Sequence, residues 1–243
     1  MTSHAVCLAI ESATPVASVA LMREDRVLIE EKGPSGQHHS ENLLPMIDRC
    51  LLTADLSLAD VDFFAISIGP GAFTSLRIGL ATLKGLAFGR DQLVAPVSTL
   101  QALALSAQRE GRLEGDRPVV PVLDARRGEV YAAAYAVDQL SEPEPVERLA
   151  SSVYSPEGLI RALPEGAQWV GPGVEVIGSL GASEPPGLFS CESGEASLPN
   201  AVSVGLLGRA RLEAGQAVTA DSLVPRYVRR AEAEAQRISR PLE

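Results

Sequence analysis

Residues 5–31 read AVCLAIESATPVASVALMREDRVLIEE, and their pattern decides the class of fold. Ala5–Ile10 is a compact apolar run with branched residues, and it predicts a buried strand ending at the polar turn Glu11–Pro15. Val16–Met22 and Arg26–Glu31 predict two further strands, and the exposed residues Arg23-Glu24-Asp25 between them suit a hairpin. Strands joined this tightly form an antiparallel meander.

After Gly36 the period changes. From about Ser40, Leu43, Leu44, Ile47 and Leu51 recur at helical spacing, with Pro45 requiring a start within the turn before it or a bend. Asp62–Ile68 predicts a strand entering Gly69-Pro70-Gly71, and a helix from about Phe73 to Gly89 carries Leu76, Leu80, Leu83 and Ala87 on one stripe. Leu93–Val97 predicts a short strand, and Ser98 caps a helix through about Arg109. A meander followed by alternating helix and strand is an α/β pattern.

The second half is looser. Pro118–Leu123 and Glu129–Val137 predict strands flanking the turn Asp124–Gly128, after which prolines interrupt every periodic stretch and Ala182–Pro199 reads as a loop. A last helix, Asn200 to about Ala214, has a cap and a stripe of Val204, Leu207 and Leu212. The expected domains are residues 1–108 and 109–243, with no repeat of fixed period and a charged, frayed tail from Arg229.

A chain of 243 residues forms one large domain or two small ones, and 46% hydrophobic residues supply a proper core. Its 21 Lys+Arg against 31 Asp+Glu leave a net charge of -10, which argues against gripping nucleic acid unaided but leaves room in a complex that acts on RNA. Aromatic residues, 4% of the chain, are too scarce for a single-strand stacking platform. Cys7, Cys50 and Cys191 lie far apart, without zinc spacing, as expected of reduced thiols. The N-terminus lacks a basic region, and no apolar run approaches the ~18 residues of a membrane span. A soluble cytoplasmic protein is expected.

Two places invite chemistry. Glu11, Ser12 and Thr14 sit in the first turn, where hydroxyls and N–H groups could meet a phosphate, or where an ordinary polar turn would look the same. Gly69 and Gly71 lie between a strand and a helix, a position suited to an anion and equally to a sharp turn; it is not a Walker loop. His38-His39 has no third ligand at helical spacing, and no serine sits in a nucleophile elbow. The two N-terminal helices carry more apolar and small residues than one core face needs: Leu43, Leu44, Met46, Ile47, Cys50, Leu51 and Leu52 in the first, and in the second Leu76, Leu80 and Leu83 with small residues four apart at Ser75 and Gly79 and at Ala81, Gly85 and Gly89. Such a surplus fits either a helical protein–protein interface or burial in the chain's own core.

Several segments together resemble one family, TsaB (YeaZ). They are LAIESAT (8–14), HSENLLP (39–45), GPGAFTSLRIG (69–79), KGLA (84–87), PVSTL (96–100) and DARRGEVY (124–131). The resemblance implies an actin/Hsp70/sugar-kinase-like, ribonuclease-H-like fold of two lobes, the second reduced. It also implies a non-catalytic scaffold or activating subunit in the formation of threonylcarbamoyladenosine at position 37 of ANN-decoding tRNAs. TsaD would be its catalytic partner, the ATPase TsaE would join, and the two N-terminal helices would serve TsaD binding or a homodimer. The chain alone would hold no cofactor, ATP or ADP belonging to the complex, and tRNA would be met only through partners. Ala13 departs from the hydroxyl residue usual there, and the HxxxH metal motif of TsaD-like proteins is missing. The rival expectation is an ATP-binding phosphotransferase or ATPase using Glu11, Ser12, Thr14, Gly69 and Gly71. A third is a metallopeptidase, for which these residues offer no metal site.

Overall fold

The structure, a computed structural model, describes residues 4–163, 167–179 and 198–228. Cys191, most of the expected 182–199 loop and the tail from Arg229 lie outside the described residues. Strands β1 (Val6–Glu11), β2 (Ser18–Arg23) and β3 (Arg26–Lys32) form the meander. Helix α1 (His39–Thr53), β4 (Phe63–Gly69), α2 (Phe73–Ala87), β5 (Val94–Ser98) and α3 (Thr99–Arg109) follow. The first sheet has the order β3-β2-β1-β4-β5, antiparallel up to β1 and parallel beyond it.

The second sheet is built from β6 (Val119–Arg126), β7 (Glu129–Tyr135), β8 (Glu147–Tyr154) and β9 (Gln168–Val170), in the order β8-β7-β6-β9. Its pairings are two antiparallel and then one parallel, the connectivity of the first sheet without the last strand. This is the two-lobed ribonuclease-H-like architecture with a reduced second lobe. The lobes repeat in topology although the sequence shows no periodic repeat, because a sheet constrains hydrophobic patterning rather than residue identity.

Both faces of β1 are covered, which is why its sequence is apolar throughout instead of alternating. Leu8 and Ile10 point into a core beneath α1 and α2, with Val19, Leu21, Phe64 and Ile66. Cys7 and Ala9 point into a second core that continues across α3 to Val119, Leu123 and Tyr135 of the second sheet. Val120, Val122 and Trp169 face a third core, so β6 too divides its side chains between two layers.

Pro156 and Pro172 mark element boundaries instead of excluding structure. Pro156 opens helix α4 (Pro156–Ala162), where its missing N–H costs nothing and the Ser155 hydroxyl caps the Gly158 N–H at 3.1 Å. Pro172 lies two residues before helix α5 (Val174–Ser179). Pro45 lies well inside α1, which starts earlier than expected at His39, and its ring faces solvent.

The last helix is α6 (Ala201–Glu213). It returns to the first lobe and packs across β1, β2, β4 and β5. Two glycines permit the close approach: a Cβ on Gly205 would lie 2.4 Å from Met22 Sδ, and one on Gly208 2.3 Å from Ala65 Cβ. Val218 then pairs with Val94 at the edge of the sheet, and Leu223 enters the core under α2. Gly208→Val is expected to overpack this interface by roughly 3 kcal/mol, lowering the midpoint of thermal unfolding by about 10 °C.

Candidate functional site

Helices α1 and α2 lie side by side on one face of the first sheet. A helix on a sheet must bury one stripe, and that stripe consists of residues offered above as interface candidates. Leu43, Ile47, Leu51, Leu76, Leu80 and Leu83 are all buried in the chain's own core, and Gly79 backs onto Ser12. They take the core alternative of the two, whereas Leu44 faces solvent, at 52% exposure. The outward surface is formed by other members of the same surplus, with Phe88 beside them in sequence. Leu52 and Phe88 are 73% and 87% exposed, and Ala81 and Gly85 are exposed on α2, where a Cβ on Gly85 would meet nothing within 4 Å. Leu44, Asp48 and Leu52 follow each other at four-residue intervals on α1, with Asp48 also exposed.

A cleft of about 990 Å³ lies between the first turn, the Pro70–Phe73 segment and residues Leu123–Arg127, and two of the five candidate phosphate residues line it. Thr14 and Gly71 line it, whereas Glu11 and Ser12 lie fully buried behind the lining. The first turn and the Gly69–Ala72 turn are packed together. The Ala72 N–H donates to the Ala13 carbonyl at 2.9 Å, and a Cβ on Gly71 would fall 2.4 Å from that same oxygen. Gly69, at φ 118, leaves 2.7 Å between a would-be Cβ and the Arg226 carbonyl, so both glycines are required by close backbone approach.

Glu11 is the unusual group. Its Oε1 accepts from the Ala13 N–H at 2.6 Å, while Oε2 and the neighbouring Ser12 hydroxyl have no hydrogen-bond partner. Burial pushes the carboxyl up to about 7, against the smaller opposing pull of Ser67 and the Ala13 and Thr14 N–H groups. His39 is buried at the start of α1 and donates Nε2–H to the Thr14 carbonyl at 2.8 Å. Burial also pushes the Cys50 thiol up to about 11, which leaves it unreactive.

Opposite this turn stands the β6–β7 hairpin, where Arg126 and Arg127 adopt φ of 66° and 59°. Arg126 pairs with Asp124 at 3.3 Å. Arg226 and Tyr227 enter the cleft from the chain segment that follows α6. The Tyr227 ring stacks on Phe73 at 5.0 Å, and Arg77 lies 3.8 Å over Phe73 while donating to the Tyr227 hydroxyl at 2.9 Å. The sequence reading missed these cleft residues. DARRG advertises a turn but not left-handed arginines, and nothing local places residue 227 beside residue 73. Among the described residues no three His, Cys, Asp or Glu side chains gather as a metal site, and no helix is long and apolar enough to cross a membrane.

The solved structure named YeaZ from Pseudomonas aeruginosa superposes on the chain with a TM-score of 0.78 at 30% identity, covering 92% of this chain and 99% of that one. The chain belongs to the TsaB (YeaZ) family. The sequence model of the TsaD family, tRNA N6-adenosine threonylcarbamoyltransferase, matches residues 34–148. The protein named tRNA threonylcarbamoyladenosine biosynthesis protein TsaB from Escherichia coli (strain K12) is 40% identical over 133 residues, 54% of this chain and 55% of its own length. Its namesake from Bacillus subtilis (strain 168) is 33% identical over 128 residues, 53% of this chain and 54% of its own length. The chain thus spans about half the length of the curated relatives it matches. Family membership gives the exposed α1/α2 face and the interlobe cleft a context, but it does not choose between them.

Proposed function

We propose that the chain is a scaffold or activating subunit, without catalysis of its own, in the cytoplasmic machinery that forms threonylcarbamoyladenosine at position 37 of ANN-decoding tRNAs. The observation that carries this reading is the outward face of α1 and α2. Leu44 and Leu52 stand exposed on α1, and the small residues Ala81 and Gly85 on the neighbouring α2, a pair of helices on which another pair can pack closely. TsaD is the partner this face would take, a second copy of the chain would compete for it, and the ATPase TsaE would join the assembly. The net charge of -10 fits a subunit whose partners hold the tRNA.

The test is reconstitution of tRNA modification from purified components. Leaving out this chain is expected to abolish product, and adding it back to restore product; formation of product without it would sink the reading. A second reading, a nucleotide held in the cleft, draws support from Arg126 and Arg226 and from the start of α2, which has no side-chain cap at the cleft wall. Those groups would meet phosphates, and ATP hydrolysis by the chain alone, lost in Glu11→Ala, would favour it over the scaffold.

A further inference from the structure

The turn that closes the cleft floor also holds both helices of the proposed partner face. Ala13 offers its carbonyl to Ala72, the residue immediately before α2, and Thr14 offers its carbonyl to His39, the first residue of α1. One carboxyl folds that turn, because Glu11 Oε1 binds the Ala13 N–H at 2.6 Å. Two helices that must present Leu44, Leu52, Ala81 and Gly85 in fixed register therefore hang from two consecutive residues, Ala13 and Thr14.

We propose that the Glu11–Thr14 turn is a shared anchor for α1 and α2, with Glu11 and His39 as positioning residues and proton uptake by Glu11 as the event that tightens it. The groups facing the carboxyl explain the direction. Ser67 approaches from β4, the Ala13 and Thr14 N–H groups belong to its own turn, and none of the influences on it is another charge. The α2 side presents Gly79 to Ser12, and α1 presents His39 one hydrogen bond further on. When Glu11 is ionised it is a fully buried charge that faces no cation, and opening the turn to water relieves it. When Glu11 is protonated the charge is gone and the turn stays closed.

This inference rests on the reading of α1 and α2 as the partner face, and the two can fail separately. Hydrogen exchange of the full chain by itself reads the anchor, at the amides of Ala13, Ala72 and Leu76. Their protection factors are expected to fall about tenfold between pH 6 and pH 8, and Glu11→Gln, which keeps the acceptor but cannot titrate, is expected to flatten that profile. His39→Phe should loosen the start of α1 and weaken TsaD association about tenfold, while His39→Gln, which still offers an N–H to Thr14, should restore both. Equal protection at both pH values, together with a silent His39→Phe, would overturn the anchor. The partner face itself is judged by Leu52→Glu: if TsaD association survives that change, the face is wrong whatever the exchange shows.

Discussion

Leu80→Glu and Leu52→Glu, two apolar-to-acid changes on the same helix pair, are expected to give opposite phenotypes. Leu80 is buried in the core under α2, where a carboxyl finds no partner. Losing the leucine and burying the acid together cost on the order of 5 kcal/mol, comparable with the whole stability of an ordinary domain. The variant should be largely unfolded in circular dichroism and chiefly insoluble. Leu52 is 73% exposed, so its replacement should leave the thermal midpoint within a degree or two of the parent. If the outward face docks a helix pair, however, Leu52→Glu places a charge within that contact. Loss of about 2 kcal/mol or more, some thirtyfold in Kd, is expected when association with TsaD is titrated by calorimetry. A folded Leu80→Glu protein would show that the inward assignment is wrong.

The second large effect is a pH dependence with an unusual sign. Carboxylates in folded proteins are commonly stabilised, so raising the pH through their titration usually strengthens the fold. Glu11 behaves oppositely. Its folded value is about 7 against an ordinary 4.5, so the unfolded chain releases this proton first. Between roughly pH 4.5 and pH 7 the folded state binds more protons than the unfolded state, and stability falls as pH rises. The loss is complete above the folded value and amounts to about 3 kcal/mol. Glu11→Gln removes the penalty, so its stability relative to the parent should be near zero at pH 4 and positive by about that amount at pH 8. Denaturant unfolding of the two proteins in parallel isolates this contribution, because all other titrations cancel. A difference that stays flat from pH 4 to pH 8 would mean that water reaches the carboxyl.

Much of the first lobe was legible because its signals are local. The run Ala5–Ile10, the hairpin residues Arg23–Asp25 and the caps Ser98 and Asn200 each specify structure within a few residues, and each element formed where expected. The strand β8 and the short elements α4, β9 and α5 were missed. Strand β8 lies at an edge, half exposed, where alternation is weak, and β9 is only three residues long. The helix pair shows the limit best. Its surplus of apolar residues was visible, but the division of that surplus between core and surface was not. Leu43 and Leu44 are neighbours in sequence, one fully buried and one half exposed, and only the direction of the sheet beneath α1 separates them.

By itself the sequence determined the α/β class, the meander and the helices that follow it, because a period of two or of three to four residues is written directly into side-chain order. It also placed Glu11, Ser12, Thr14, Gly69 and Gly71 at turns, since glycine and short polar residues set backbone conformation locally. Tertiary structure alone decided that these turns pack on each other, that α6 crosses back to the first sheet, and that Leu52 rather than Leu80 meets solvent. Those outcomes depend on contacts between residues far apart in the chain, and the burial that raises Glu11 and orients α1 exists only once the layers have closed.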